Sequence, residues 1–490
     1  MGEPRERHFY LDGFLALGKF IVGKLQKNCN ILLDIELYLI IVSLKCRRNA
    51  NKENKMIITF SVQNFLSIRN KVTLDFRATS DKTLEDYYVV SVEKPKLRIL
   101  RMAMIYGANA SGKTNLLMAL DFIKRFISDT SINKEIPIPI APFALDEDKS
   151  SIFEIDFLQK GIMYSYYLEL NKKNIIQEEL SYYPNVRKTL IFSRKLVDIK
   201  GFLYEYKWRN AAINEKQKDA LELTVQNQSI LSKIATIQYS GVLQEARNWF
   251  TITLKNMLGS KTVLLGFNYF NYLNTPEKEK RYKPLYIELL KRADFFIEDI
   301  TFEEKIFTMA ELPPEVRAKF ETNPKEQEDD KEQEEISSLK TEFIHKTPSE
   351  TYVLNYHMES MGTQRYFGLI GILLELIYKN RIVPIDEIES SLHIDLIIHY
   401  ITTFLRNKRK GQLIFTSQNT ALLKEKDILR RDAIWITERN EDGSTSLTSV
   451  SEYPVRKEHS IESIYRKGLI GGLPNLGTTL LEGENETKDE

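Results

Sequence analysis

Cysteine is almost missing from this 490-residue chain: Cys29 and Cys46 are its two, and none follows residue 55. That excludes a disulfide framework and a cysteine-built metal site from everything beyond that point. It also suits a reducing compartment, so a cytoplasmic location is expected. A charge of one sign is missing too: 69 Lys and Arg stand against 68 Asp and Glu, a formal net charge of +1. No global field therefore draws the molecule onto nucleic acid or anionic lipid. One local basic run, RNKRK at Arg406 to Lys410, has the sign for phosphate contacts, but a solvated helix end reads the same way. The sequence gives no other sign of a nucleic-acid partner. The most apolar stretch, ILLDIELYLIIVSLK at Ile31 to Lys45, is broken by Asp34 and Glu36 and is shorter than the ~20 residues of a membrane span. No membrane partner is expected. Internal repeats are absent, and no heptad pattern lasts the roughly three or four heptads of a coiled coil.

What remains is an ordinary globular composition, 42% hydrophobic and 28% charged, long enough for two or three domains. Residues 1–55 read as a different kind of sequence. A polar linker, CRRNANKENK, closes them, and an orderly alternating pattern, MIITFSVQNFLSI, starts at Met56. An added amphipathic helix, a weak anchor and a start codon assigned too early all fit the first 55 residues, and the last is the expectation adopted.

The stretch YGANASGKT at residues 106–114 carries the chemistry. A strand-like segment precedes it. After it, Leu116, Leu117, Leu120, Ile123 and Ile127 repeat at the spacing of one helix face. Glycines at a strand-to-helix turn let backbone N–H groups converge on a concavity that side chains would block, and the helix adds its positive end. That is a polyphosphate cradle. Lys113 can reach the outer phosphates, and the Thr114 hydroxyl is suited to Mg²⁺. The cofactor-binding set is Gly107, Asn109, Ser111, Gly112, Lys113, Thr114 and Asn115.

A phosphate loop needs a carboxylate for the metal and a group to orient water. In RIVPIDEIESSLH, an apolar strand at Ile382 to Ile385 ends in Asp386 and Glu387, placing both acids at the carboxyl edge of a sheet, where nucleotides bind. Asp386 can hold Mg²⁺ through a water, and Glu387 can align or deprotonate the attacking water. Taken alone, an acidic strand end could equally cap the next helix. Just upstream, ESMGTQR puts Ser360 and Gly362 at the start of an amphipathic helix. This is a second phosphate receptor of the same kind, or else a plain N-cap. One nucleotide has room for one cradle per subunit, so Ser360 and Gly362 are expected to contact ATP bound by a second copy.

The order MIITFSVQNFLSI, YGANASGKTNLL, ESMGTQR, IDEIESSLH, QLIFTSQNTALL, DAIWITERNEDGSTSL and YRKGLIGGLP resembles bacterial AAA/ABC-type ATPases of the RloA-like and abortive-infection kind. Their heads are related to those of SMC, RecF and OLD-family proteins. The resemblance covers most of residues 56–180 and 345–475. It implies that Gly107, Gly112, Lys113 and Thr114 form Walker A, that Asp386 and Glu387 form Walker B, and that Ser360 to Arg365 form a signature closing on the partner's γ-phosphate. It also makes Ser390 to His393 a dimer-contacting loop, although His393 could be a plain helix-surface residue. Such heads usually place a γ-phosphate-sensing His after the strand that follows Walker B. Here Gln418 stands there, a hydrogen-bond donor without charge, and it joins Glu387 in the expected catalytic set. A Gln-containing loop between the two Walker motifs is not evident; Pro142 to Asp146 lies in about the right place without Gln.

The expected fold is α/β, a P-loop NTPase head of ABC/SMC type split by a mainly helical insertion. The divisions are an N-terminal extension (1–55), a first lobe with Walker A (56–183), a helical arm or lid (184–344) with a charged loop (323–340), and a second lobe (345–490). Strands are expected around Met56 and across 150–183, and helices from about 212 to 300. The cofactors are ATP and Mg²⁺, and the partners are a second copy, as a homodimer or higher homo-oligomer, and a separate effector protein. The expected function is ATP hydrolysis in a head-to-head dimer that controls this effector in anti-phage defence, which rests on the resemblance alone. An SMC- or RecF-like DNA-associated ATPase is the alternative, but it wants the long coiled coil that is missing.

Overall fold

The computed structural model describes residues 54–473 except 132, 186, 199–200, 210–212, 238, 240, 260–275, 309–334, 408–409 and 457–458. The expectations for residues 1–53, both cysteines included, and for most of the charged loop lie outside the described residues.

Along the chain, β1 (Met56–Gln63) and β2 (Val72–Asp75) pair antiparallel, and β3 (Val89–Val92) with β4 (Leu97–Leu100) makes a two-stranded ribbon. Next come β5 (Met102–Gly107) and α1 (Lys113–Ser128), joined by the glycine loop. A meander follows: β6 (Ser151–Gln159), β7 (Ile162–Leu170), β8 (Ile175–Tyr183), β9 (Thr189–Asp198) and β10 (Leu203–Trp208). It joins β1 and β2 in a seven-stranded antiparallel sheet ordered β10-β9-β8-β7-β6-β1-β2. Its strands alternate in burial, as β7 does, because one face is packed and the other is wetter.

After short helices between residues 215 and 253 come α2 (Pro276–Arg292) and a three-stranded antiparallel sheet of β11 (Ile297–Thr308), β12 (Glu335–Lys346) and β13 (Thr351–Asn355). The chain then runs through α3 (Met361–Lys379), β14 (Ile382–Ile385), α4 (Ile394–Arg406), β15 (Gln412–Thr416), β16 (Ile434–Arg439) and β17 (Thr445–Ser449). The second main sheet is ordered β14-β15-β5-β16-β17, parallel except for β17. Every residue of β5, β14 and β15 is buried, which is why these strands are nearly unbroken apolar runs. Among the described residues, no helix is long and apolar enough to cross a membrane.

Two buried polar side chains join the layers. Gln412 accepts the Ile57 N–H at 2.6 Å and donates to the carbonyls of Ile57 and Leu100 at 3.0 and 2.9 Å, tying β15 to β1 and β4. Arg101, just before β5, donates to the carbonyls of Phe404, Leu405 and Asn407. It thereby closes the C-terminal end of α4, where the helix is negative. Burial pulls its pKa down to about 10.

The fold agrees with the α/β expectation, and the described strands β1, β6, β7, β8 and β13, with the apolar β14, lie where they were expected. It differs between 184 and 344. Helices occupy 215–253 and α2 as expected, yet β9 and β10 carry the antiparallel sheet on to Trp208, past the boundary at 183, and β11 and most of β12 are strands as well. The physical reason in β10 is a period of two: Tyr204, Tyr206 and Trp208 face the sheet, and the Arg194 guanidinium lies 3.9 Å from the Tyr204 ring centre. In β12, residues 335–340 belonged to the stretch expected to be a charged loop. They pair along β11, whose partners run from Thr308 to Glu303, and pairing outweighs their polar composition.

Candidate functional site

The glycine loop leaves the carboxyl end of β5, the middle strand of the parallel sheet, and enters α1 directly. Gly112, the residue before the helix, has φ +99°, a conformation only glycine adopts without strain, and a Cβ there would collide with Thr445 and Ser67. A Cβ on Gly107 would strike Thr437 and Ser111. No side chain caps α1, and no acid occupies its first turn. Lys113 is buried, and its Nζ folds back over the loop to donate to the carbonyls of Gly107 and Ala108 at 2.8 and 2.9 Å. Burial lowers its pKa, opposed by the nearby charges of Asp386, Glu387 and Glu389.

The acids arrive from the neighbouring strands. β14 delivers Asp386, buried, and the Thr114 hydroxyl lies 3.1 and 3.0 Å from its two carboxylate oxygens. The Thr416 hydroxyl at the end of β15 donates to Asp386 Oδ1 at 2.6 Å and accepts the Glu387 N–H at 2.8 Å. Glu387 itself sits at φ +47°, in the left-handed region, which turns its side chain away from the strand direction. Gln418 Nε2 then donates to Glu387 Oε1 at 2.9 Å, and the Gln418 N–H donates to Glu389 at 2.7 Å. Thus the structure brings Lys113, Thr114, Asp386, Glu387 and Gln418 together at one sheet edge.

The remaining expected residues divide. Ser111 is buried, with its hydroxyl 2.6 Å from that of Thr437, and its carbonyl accepts from Thr445 at 2.9 Å. Asn115 spends its amide on the Ser67 hydroxyl at 2.7 Å, and so braces the loop from behind. Asn109 is exposed at the tip. Ser360 is the N-cap of α3: its hydroxyl accepts the Thr363 N–H at 3.0 Å. Gly362 lies close against the loop after β14, where a Cβ would stand 3.1 Å from the Ser391 carbonyl. His393 caps α4 through the Asp395 N–H at 3.3 Å and is otherwise exposed. Asp146, in the segment where a Gln was sought, pairs with Arg69 at 2.8 Å.

Sequence reasoning missed Ser67, Thr416, Thr445 and Glu389. Each is a small or acidic residue one position from a strand or turn boundary, and nothing in its own neighbourhood marks it. Arg365 was assigned to the signature, and the structure adds what it touches. Buried, it donates to the carbonyls of Gly259 and Glu387 at 3.1 and 3.3 Å, linking α3 to the turn that bears the acids.

The donors fit the nucleotide and metal expected of such a loop. A Cβ at Gly107 or Gly112 would meet Thr437, Ser111, Thr445 or Ser67, so the glycines let the loop lie close against β16 and β17, and a glycine turn ahead of an uncapped helix suits phosphate oxygens held by N–H groups. A hydroxyl against a carboxylate is a hard oxygen set, and Mg²⁺ takes one or two protein oxygens while keeping waters and phosphate for the rest. Among the described residues, no cluster of three or more His, Cys, Asp or Glu suggests an all-protein metal cage.

The family described as "AAA domain, putative AbiEii toxin, Type IV TA system" matches residues 102–424. No curated protein matches. Similar solved structures include an Smc head bound to the C-winged helix domain of ScpA, at 11% identity and TM-score 0.37, covering 80% of this chain and 97% of that one. The SMC head domain from Thermotoga maritima overlaps at 13% identity and TM-score 0.36, covering 80% and 98%.

Proposed function

The chain belongs to the AAA-domain family described as that of AbiEii-type toxins, and from that membership we propose that it is an ATPase working as a head-to-head dimer around two ATP molecules. The observation that carries the reading is the contact of the Thr114 hydroxyl with Asp386, which joins the phosphate loop to the acidic strand across the sheet edge. Thr114 and Asp386 would hold Mg²⁺, which when bound supplies charge neutralisation for the phosphates. Lys113 would leave the carbonyls of Gly107 and Ala108 to meet the outer phosphates. Glu387 would accept a proton from the attacking water at a carboxylate oxygen, with Gln418 fixing the rotamer through Oε1.

Closure by a second copy is supported by the exposure of the signature segment. Ser360 and Met361 are exposed, Met361 at 50%, so this end of the segment is open to a second copy. The dimer would control a separate effector protein in anti-phage defence, a reading that rests on the resemblance to abortive-infection ATPases; the family description itself names a putative AbiEii toxin of a type IV TA system. No described helix resembles the arm of a DNA-tethering motor: α3, at 19 residues, is the longest. Light scattering tests the reading. The Glu387→Gln protein should double in mass with Mg²⁺ and ATP, and adding Ser360→Arg should return it to a monomer that still binds ATP. A mass that ignores ATP would leave a nucleotide-binding module whose assembly is not driven by nucleotide.

A further inference from the structure

Glu389 is an acid at the sheet edge that the proposed hydrolysis does not use. It follows Glu387 by two residues, in a turn knitted by its own backbone. The Ser390 N–H donates to the Glu387 carbonyl and the Leu392 N–H to that of Glu389, each at 2.9 Å. Ile388, between the two acids, is fully buried, and its N–H donates to the Thr416 carbonyl at 3.2 Å. The backbone of Glu389 is therefore fixed beside the end of β15, and Glu389 Oε1 accepts the Gln418 N–H at 2.7 Å. Its Oε2 is shut off from solvent without a hydrogen-bond partner. A carboxylate so placed is costly unless charge offsets it. Lys113 and Arg365 supply that charge: burial lowers the pKa of each, and Glu389 is among the acids that oppose the drop.

Gln418 is exposed, and holding a long side chain to one rotamer in water costs conformational entropy. Yet its Nε2 donates to Glu387 Oε1 at 2.9 Å. The chain on either side is anchored, the Ser417 N–H to the Ile105 carbonyl at 3.0 Å and the Asn419 N–H to the Ser417 hydroxyl at 3.1 Å. The N–H of Gln418 itself is held by Glu389. Two acids of one turn thus grip one glutamine at two points, Glu389 on the main chain and Glu387 on the side chain. We propose that Glu389 is a positioning residue, which fixes the Gln418 main chain and so keeps the Gln418 amide on the general base, Glu387. The proposal rests on the ATPase reading and adds to it the residue that orders the base.

Two substitutions separate reach from charge. Glu389→Gln keeps an oxygen of the same reach and loses the charge, whereas Glu389→Asp keeps the charge and falls one methylene short. Hydrogen exchange of the full chain without nucleotide reads the hold directly. The Gln418 amide should exchange about tenfold faster in the Asp variant and at the unmodified rate in the Gln variant. In steady-state hydrolysis, Glu389→Asp should lower kcat about tenfold with KM for ATP within about twofold, while Glu389→Gln stays within about threefold of the unmodified chain. Adding Gln418→Ala to Glu389→Asp should cost no further rate, because both break one hold. The proposal is overturned if the Gln variant is the slow one, if the Gln418 amide exchanges alike in all three proteins, or if the two rate losses multiply. An unmodified chain that releases no phosphate would remove the ATPase reading, and the role of Glu389 in hydrolysis with it. Exchange, which needs no ATP, tells that failure from loss of the hold.

Discussion

Two helices in this molecule begin at the sheet edge, and they begin differently. α1 starts after a left-handed glycine, with no side-chain cap, no acid in its first turn and Lys113 as its first residue. α3 starts after Ser360, whose hydroxyl accepts the Thr363 N–H and completes the helix end within its own chain. Helix N-terminal N–H groups need acceptors from somewhere. On the proposed reading α1 would take its acceptors from an anion, whereas α3 has one already. A glycine-rich, uncapped start is thus what the proposed phosphate receptor in a single subunit requires. A capped start is a finished structural element, and it can serve phosphate only if another copy's nucleotide competes for it.

The largest break in that contrast is Lys113→Ala. It removes the one charge aimed at the α1 end, and ATP affinity should fall about 100-fold, since charged hydrogen bonds contribute roughly 1.5–3 kcal/mol each. Fluorescent-nucleotide titration measures it. Affinity within a factor of two of the unmodified chain would mean that the loop does not hold phosphate.

The α1 end was legible because its information is local. Gly107, Gly112, Lys113 and Thr114 stand within eight residues, and the glycines are demanded by close approach that any Cβ would block. Asp386 and Glu387 were legible for a related reason: IVPI is short, wholly buried and ends at the acids. The bracing set was not. Ser67 and Thr445 are far apart in sequence yet 2.7 Å apart in space, and Thr416 at the end of β15 reaches Asp386 at the end of the adjacent β14. Such contacts are set by the order β14-β15-β5-β16-β17, which no spacing along the chain reveals. The same holds for β9 and β10, whose places depend on β9 pairing with β8 and on β10 pairing with β9 at the sheet edge rather than on the polar residues they carry.

Glu387→Gln sharpens the comparison by keeping ATP at α1 while stopping the chemistry. An amide is a poor proton acceptor, so turnover should fall by about 100-fold or more, with ATP affinity retained. Phosphate release in single-turnover conditions reads it, and an unchanged rate would remove Glu387 from the reaction. A smaller effect follows from Gln418→Ala. The Gln418 amide donates to Glu387 Oε1, so losing that 2.9 Å contact should slow hydrolysis about tenfold without altering ATP binding. A slope of rate against pH that moves with Gln418→Ala would place Gln418 on the Glu387 proton, and an identical rate would make it a bystander.

The smallest effect concerns the α3 end. Ser360→Ala removes a cap and should cost about 1 kcal/mol of stability, read as a drop of a few degrees in Tm. That loss alone does not distinguish a cap from a phosphate contact, because Ala lacks the hydroxyl for both. Ser360→Asp does distinguish them. Asp caps a helix at least as well as Ser and favours the positive helix end, so Tm should match or exceed that of the unmodified chain. A carboxylate there would face the partner's γ-phosphate with like charge. In the Glu387→Gln background, ATP should then bind each subunit normally while the dimer fails to form. If Ser360→Asp keeps both its Tm and its ATP-driven dimer, the hydroxyl is a cap and nothing more, and the difference between α1 and α3 is complete.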